Sequence, residues 1–382
     1  MRSPNVVHAR ANRPRASGGF GLVELMVAMI IGLVLIAGAA EIFIGSKRTY
    51  MTSNELSRLQ ENARYAAHVL TQDLRMAGYS GCSPKVRNML DTSSPSYSPT
   101  LWDISRAVSG WEYTGTGYDD EYTITSLDPD NVALNKWNNG EAANSSLAAE
   151  LEDRVVPGTD VIAIKKLSAR QDIKLKDNNV INSTSLNVEQ PNNLKKDQIL
   201  LVTKDCINAD LFQNRSNDGA AAASAGKGAG KTPGNAENKF SAVYNSESYF
   251  LTFETAVYFV GINPKGEPAL YRAPFDGTGL TTAKLEELAS GVESLQVVYG
   301  EDTDATPDGV ANRYVSIDQV TDGERIVDVR FSLLMRTEGE PLERVDADST
   351  YLLAGKTTII PQADRRLRYV LTSTVKLRNR GI

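Results

Sequence analysis

Histidine is almost missing from this chain, since His8 and His68 are the only two among 382 residues. A Ser-His-Asp triad or a multi-histidine zinc site needs more imidazole than this, so the sequence argues against both kinds of chemistry. Neither a phosphate-binding glycine loop nor a dinucleotide fingerprint is found, because the glycine-rich run at 226–230 follows no strand that the sequence predicts. We therefore expect no catalytic activity and no cofactor, and we expect His68 to lie on an ordinary helix face.

Cysteine is equally scarce. Cys82 and Cys206 are the only two, which is too few for a cysteine-based metal site. Outside the cytoplasm such a widely separated pair is typical of a disulfide, and the alternative is two buried free thiols. Basic residues are also in the minority, with a formal net charge of -6, so the charge balance gives no indication of nucleic-acid binding.

One long apolar run is present near the N-terminus. From Phe20 to Ala40 the only charged residue is Glu24. A helix of this length, at about 1.5 Å per residue, spans roughly 30 Å of hydrocarbon. The preceding segment contains arginines but no acidic residue, namely Arg2, Arg10, Arg13 and Arg15. By the positive-inside tendency we expect a single-pass protein of the inner membrane, with its N-terminus in the cytoplasm and its bulk in the periplasm.

The junction between the basic segment and the apolar run has the features of a processing site. A secretory signal peptide is cut after its apolar stretch, whereas the small residues that end at Gly19 lie before it. An ionised carboxylate near the core of a bilayer costs a few kcal/mol or more, so we expect Glu24 to have a partner or a task. The alternative is an ordinary signal anchor that happens to contain a glutamate.

Gly19, Phe20 and Glu24 resemble the type IV prepilin signature, in which a glycine precedes phenylalanine and a glutamate stands at the fifth mature position. The resemblance implies that residues 1–19 are a leader that a prepilin peptidase removes, and that the new amine of Phe20 is methylated. It also implies that Glu24 neutralises the terminal amine of a neighbouring subunit. Residues 20–44 would then be the transmembrane and assembly half of a long helix. Gly21 departs from the threonine or serine that is common in this family.

The helical pattern continues past the apolar run, and residues 45–81 are predicted to form the periplasmic half of the same helix. Charged residues, Asp73 among them, lie mostly off the apolar face, and Gly78 and Gly81 provide the expected stop signal. Apolar residues recur at spacings of three and four and predict one stripe that packs on a sheet: Leu56, Leu59, Ala63, Ala66, Leu70, Leu74 and Ala77.

Residues 82–382 contain short apolar runs separated by turn residues, which is typical of a β-rich globular region. One long helix followed by many strands predicts an α+β, pilin-like fold, in which the helix packs on a largely antiparallel sheet. A short helix is predicted at 285–290. The clearest strand candidates are 160–165, 199–203, 249–253, 256–260, 295–299, 326–331 and 369–375.

Residues 216–239 are rich in alanine, glycine, asparagine and lysine and contain no large apolar side chain, which predicts a disordered loop. A cluster of aromatic residues earlier in the chain is predicted to form the core of a small β unit, with a recognition surface as the alternative. Its members are Trp102, Trp111, Tyr113, Tyr118 and Tyr122.

An acidic turn contains Asp302, Asp304 and Asp308 between two strand candidates. It resembles a calcium loop in composition only, because an EF-hand pattern would need a glycine and a glutamate where Pro307 and Arg313 stand. The sequence predicts a solvated hairpin turn without a metal, and calcium binding is the alternative.

Four further segments resemble the PilW-type minor pilins of the type IV pilus. Residues 61–82, with their Ala-Gly-Tyr-Ser-Gly-Cys ending, resemble the helix end of that family. Residues 205–212 resemble its second cysteine region, 291–300 its late strand and 372–379 its closing strand. Pseudopilin J of type II secretion shares the N-terminal signature, whereas the helix end favours PilW.

The PilW resemblance implies a minor pilin that helps to prime type IV pilus assembly, at or near the fibre tip, and that supports twitching motility or adhesion. Its partners would be other minor pilins, the major pilin, the prepilin peptidase, the assembly machinery of the inner membrane and membrane lipid. Two alternatives remain open. One is a minor pseudopilin of type II secretion, and the other is a single-span, membrane-anchored periplasmic binding protein with no fibre role.

Overall fold

The computed structural model describes residues 21–81, 86–130, 132–141, 145–204, 207–227 and 233–379. These residues form two α-helices, α1 (Leu22–Met76) and α2 (Pro99–Trp102). Short 3-10 helices lie at Leu134–Lys136, Ala149–Leu151, Thr282–Lys284, Ile317–Gln319 and Gly323–Arg325.

Most of the described chain outside α1 consists of β-strands and their connections. The strands are β1 (Arg87–Asn88), β2 (Val108–Tyr113), β3 (Glu121–Thr123), β4 (Trp137–Asn138), β5 (Val161–Lys174), β6 (Ser185–Asn187), β7 (Ile199–Thr203), β8 (Ala209–Gln213), β9 (Ala222–Ser224), β10 (Tyr249–Ile262), β11 (Pro268–Phe275), β12 (Glu286–Ser290), β13 (Val292–Glu301), β14 (Arg313–Val315), β15 (Ile326–Arg336), β16 (Tyr351–Leu353), β17 (Thr357–Ile360) and β18 (Arg368–Lys376).

These strands form one large sheet and three smaller ones. The nine-stranded sheet has the order β1-β8-β7-β10-β5-β2-β4, and β11 and β12 continue from β10. A four-stranded sheet has the order β14-β13-β15-β18, a three-stranded sheet β16-β17-β3, and a two-stranded sheet β6-β9. Pairing is antiparallel except between β1 and β8 and between β17 and β3. The predicted α+β, pilin-like fold is confirmed.

The chain divides into two units, residues 1–53 and 54–382. The described part of the first unit is a single stretch of α1, whose side chains are almost all exposed. The second unit contains the remainder of α1, α2 and every described strand. The hydrophobic core that the structure describes therefore belongs to residues 54–382.

The apolar stripe of α1 packs where the sequence predicts. Leu56 is the exception and remains exposed, because it stands at the start of the buried segment. Tyr258 of β10 and Phe331 of β15 belong to the same core cluster as the stripe. The buried residues of α1 are Leu59, Ala63, Ala66, Ala67, Leu70 and Leu74.

The end of α1 is joined to the large sheet. After Met76 the backbone turns at Gly78, which adopts a φ of 70°. A residue with a side chain rarely takes this left-handed conformation, so glycine is the natural stop. The amide of Gly78 donates a hydrogen bond of 2.9 Å to the carbonyl of Lys165 in β5. The helix end is thereby fixed to the backbone of a central strand.

The short helix predicted at 285–290 is wrong. This segment forms β12, which pairs antiparallel with β11. Apolar residues at Leu285, Leu288 and Ala289 suggested a helical spacing, but the free edge of β11 provides ladder partners that outweigh this weak local preference. The left-handed φ of 83° at Gly291 then separates β12 from β13.

The range 216–239 contains order that its composition did not indicate. β9 pairs with β6, and Ala223 and Ala225 are buried. The side chain of Asn235 both accepts from the amide of Gln213 and donates to its carbonyl, each at 2.8 Å. The segment has little apolar surface of its own, but neighbouring strands supply the packing and the hydrogen bonds that order it. Residues 228–232 lie outside the described part of this range.

Candidate functional site

The first turn of α1 contains the glutamate of the predicted assembly site. The carbonyl of Gly21 accepts the first helical hydrogen bond, from the amide of Leu25 at 3.2 Å. The amide of Gly21 donates to Oε2 of Glu24 at 3.3 Å. This is one half of a capping box, in which a glutamate three residues into the helix satisfies a free backbone N–H. The predicted processing residues Gly19 and Phe20 lie outside the described residues.

The side chain of Glu24 points back along the chain toward the predicted mature N-terminus. Its acceptor oxygen is occupied by the amide of the residue that directly follows Phe20. A carboxylate at this end of a helix is also favoured by the helix dipole, whose positive end is the N-terminus. The position of Glu24 is therefore compatible with a cationic partner at the start of the helix.

Beyond Glu24 the helix presents an apolar surface that the chain itself does not cover. Leu22 is 77% exposed and Ile36 is 67% exposed. The most apolar stretch of α1 has a mean hydropathy of 2.6, and no part of this stretch is buried. Within the described residues, α1 is the one helix that is long and apolar enough to cross a membrane. A surface of this kind needs lipid or another apolar helix around it.

Small residues are placed along this surface. An added Cβ at Gly32 or at Gly38 would meet no other atom within 4 Å. Both positions are therefore open to a neighbouring helix. In membranes, small residues of this kind allow two helix backbones to approach closely and to gain van der Waals contact.

The globular end of α1 contains an ionic cluster that the sequence did not reveal. Asp73 accepts a hydrogen bond of 2.6 Å from the hydroxyl of Tyr258 and one of 2.9 Å from Lys166. Nε of Arg272 lies 3.3 Å from the same carboxylate. These partners come from β5, β10 and β11, so one carboxylate connects the helix to three adjacent strands.

Electrostatics favour the ionised form of Asp73. Its burial alone would raise the pKa, but the hydroxyl of Tyr258 and the positive charges of Lys166 and Arg272 outweigh burial, and the pKa is lowered. Burial next to this carboxylate raises the pKa of Tyr258, which therefore acts as the donor. In the sequence, Asp73 was marked only by its place in the PilW-like helix end. Its contacts with the strands are visible only in the structure.

The acidic turn brings its three predicted residues together. Carboxylate oxygens of Asp302, Asp304 and Asp308 lie within 4.8 Å of one another. Asp302, however, already accepts hydrogen bonds from the amides of Asp308 at 2.9 Å and Gly309 at 2.8 Å. Burial alone would raise the pKa of Asp302, but the backbone donors outweigh burial, and the pKa is lowered. Asp302 therefore closes the turn through backbone contacts, which does not require a cation.

The aromatic cluster is mostly core, as predicted, but it belongs to the core beside the large sheet and not to a small β unit. Trp102, Trp111 and Tyr113 are buried, and the indole N–H of Trp111 donates to the carbonyl of Ser146 at 2.8 Å. Tyr118 is the exposed member of the cluster. His68, the histidine of the helical region, lies on an exposed face of α1.

Cys82 and Cys206 lie outside the described residues, but the segments that lead to them are close together. Thr203, near the second cysteine, pairs with Tyr249 across the sheet. An added Cβ at Gly81 would lie 3.6 Å from the hydroxyl oxygen of the same Tyr249. Both segments therefore meet at one residue of β10.

Two family models match the chain. The model of the prokaryotic N-terminal methylation motif matches residues 14–40, and the model of type IV pilus-assembly protein W matches residues 257–379. The chain matches no curated protein and no solved structure. The two matched segments are the start of the apolar helix and the strands from β10 to β18, and together they support a PilW-type type IV pilin.

Proposed function

We propose that this protein is a minor pilin that is inserted into the inner membrane, is cut between Gly19 and Phe20, and then primes assembly of a type IV pilus at or near the fibre tip. The observation that carries the proposal is the exposed apolar half of α1, most of which lies within the matched methylation motif. The match to a pilus-assembly protein favours this role over a part in type II secretion.

The protein would act in assembly through the packing of its apolar helix. In the membrane, residues 20–44 are surrounded by lipid, and in the fibre they are surrounded by the helices of neighbouring subunits. Because burial of one large apolar side chain is worth about 1.5–3 kcal/mol, an exposed helix of this length cannot remain in water. Gly32 and Gly38 allow neighbouring helices to come close. The role is thus structural, and it requires no catalysis and no cofactor.

Glu24 gives the assembly step its specificity. A buried carboxylate without a partner is costly, so a subunit that enters the fibre needs a cation at the position of this side chain. The methylated amine of Phe20 on a neighbouring subunit is a cation of the right kind. The periplasmic position of residues 54–382 follows from the arginines of the leader.

A deletion strain tests the role in assembly. We expect loss of the gene to reduce the number of surface pili per cell, as counted by negative-stain electron microscopy. The wild-type gene should restore the count, and Glu24→Ala should not. Glu41→Ala is the matched control, because it removes the same charge from the same exposed helix beyond the apolar run.

Two results would overturn the proposal. Normal pilus numbers in the deletion strain would exclude a priming role, and a defect limited to protein secretion would indicate a pseudopilin. Equal rescue by Glu24→Ala and Glu41→Ala, with equal amounts of each variant in the membrane, would show that the carboxylate of Glu24 has no role in assembly.

A further inference from the structure

A lysine in the globular unit is enclosed by two carboxylates. Nζ of Lys356 lies 2.7 Å from Oε1 and 2.8 Å from Oε2 of Glu112, and 2.8 Å from Oδ2 of Asp160. Lys356 directly precedes β17, Glu112 lies in β2 and Asp160 directly precedes β5. The side chain of Lys356 has no exposed surface. Three segments that are far apart in the sequence thus place one amine against two acids.

The protein backbone holds the two acids in place. The amide of Tyr113 donates to Oδ1 of Asp160 at 3.3 Å, and the amide of Val297 donates to its Oδ2 at 2.8 Å. The hydroxyl of Thr116 donates to Oε1 of Glu112 at 3.0 Å. Every oxygen of Asp160 therefore has a backbone donor, whereas Glu112 is held by a hydroxyl and by the amine.

The charges of this cluster do not balance. One ammonium faces two carboxylates, and an uncompensated charge in a buried site is costly. Burial and the charge of Asp160 raise the pKa of Glu112 well above its usual range, although Lys356 and Thr116 oppose this. Burial alone would lower the pKa of Lys356, but the two carboxylates raise it. The cluster thus contains a cationic amine and, in Glu112, a carboxylate that accepts a proton readily.

We propose that Lys356 and Asp160 condense into an intramolecular amide bond, with Glu112 as the proton carrier. Nζ of Lys356 transfers a proton to Glu112 and attacks Cγ of Asp160. A bond forms between Nζ and Cγ. Glu112 delivers its proton to Oδ2, takes a second proton from the nitrogen that has added and delivers that one as well, so that the bond from Cγ to Oδ2 breaks and Oδ2 leaves as water. An ammonium and a carboxylate become one amide and one water molecule, so no oxidant, reductant or other reactant is needed.

The geometry supplies what this reaction lacks in free solution. Amine and acid are held in contact, and well-oriented intramolecular groups reach effective concentrations of about 10⁵–10⁸ M. The backbone N–H of Tyr113 donates to Oδ1 of Asp160, where negative charge develops when the amine adds. Because the site is buried, water that would reverse the reaction is kept away.

Asp160 is the acid that reacts, because its two oxygens are polarised by backbone donors. Glu112 has the raised pKa and is the better proton carrier. The product connects the start of β5 in the large sheet to the start of β17 in the three-stranded sheet. It would make these two sheets inseparable when the protein is pulled or heated. The bond is independent of any role in a pilus.

The mass of the purified full chain tests the proposal. After reduction of any disulfide, we expect the wild-type protein to be lighter than its sequence by one water molecule. Digestion with trypsin should leave Lys356 uncut and should join peptide 155–165, which contains Asp160, to peptide 345–365. Lys356→Arg and Asp160→Ala should each have the full mass of their sequences.

Glu112→Gln tests the proton carrier separately, because it preserves the shape of the side chain and both reacting groups. We expect this variant to keep its full sequence mass. A wild-type chain of full mass, with cleavage after Lys356, would overturn the proposal. A cross-link to peptide 107–136, which contains Glu112, would overturn the choice of Asp160, and an amide in Glu112→Gln would overturn the role of Glu112.

Discussion

Replacement of Asp73 by alanine is expected to loosen the contact between α1 and the large sheet. The carboxylate accepts hydrogen bonds from Tyr258 and Lys166 and pairs with Arg272, and its side chain is only 15% exposed. Hydrogen bonds to charged groups are worth about 1.5–3 kcal/mol each, and removal of one partner from a buried pair costs about 3–5 kcal/mol. Glu254 remains beside Lys166 and Arg272 and offsets part of this loss.

We therefore expect Asp73→Ala to lower the free energy of unfolding by about 2–4 kcal/mol. Since a change of 1 kcal/mol shifts the Tm of a large domain by about 2–4 °C, the Tm should fall by roughly 4–16 °C. Thermal and denaturant unfolding of the full chain in detergent would measure both values. Gln72→Ala is the control, because Gln72 is an exposed neighbour on α1. Equal stability of the two variants would refute the reasoning.

The same carboxylate should give stability a dependence on pH. The pKa of Asp73 is lowered in the folded state, so the folded protein holds this proton less tightly than the unfolded chain. Its contribution is therefore complete above the unfolded pKa of about 3.9 and disappears as the pH falls through the lower folded value. We expect the difference in stability between wild type and Asp73→Asn to shrink below about pH 4. A difference that stays constant down to pH 2 would contradict this.

Three further predictions concern the globular unit. We predict that Cys82 and Cys206 form a disulfide, so that replacing both by serine costs about 2–5 kcal/mol, and free-thiol labelling of the unfolded wild-type protein should find no reactive cysteine. Asp302→Ala should lower the Tm because three backbone amides, those of Asp304, Asp308 and Gly309, lose their acceptor. Millimolar calcium should leave the wild-type Tm unchanged, and a calcium-dependent rise would instead indicate a metal site. Gly158→Ala should destabilise the protein by about 1–3 kcal/mol or more, because Gly158 has a φ of 78° and an added Cβ would clash with the ring of Tyr122; an unchanged Tm would contradict that.

Local patterns in the sequence predicted the elements of this fold well. The runs at 199–203, 326–331 and 369–375 are strands β7, β15 and β18 of the structure, and the stripe on α1 is buried as expected. These signals are local, since they depend on the alternation of apolar residues along a strand or on the spacing of three and four along a helix. The two candidates at 249–253 and 256–260 are one continuous strand, β10.

Contacts between distant segments could not be predicted in the same way. Lys356 and Glu112 are separated by 244 positions, and no local pattern indicates that β17 lies near β2. The helical spacing placed Asp73 off the apolar stripe and indicated no partner for it, yet polar side chains from three strands surround it. The order of strands in the large sheet brings the partners of Asp73 together, whereas a contact between that sheet and the three-stranded sheet places Lys356 beside Glu112. Both arrangements are set by packing of the whole unit.

The most direct test of the account is top-down mass spectrometry of this protein in pili sheared from the cell surface. We predict that the chain is present in the sheared fibres and begins at an N-methylated Phe20, with residues 1–19 removed. We also predict that this form is lost from cells without a prepilin peptidase. A chain that begins at Met1 and remains in the membrane fraction, with none in the fibres, would contradict the account.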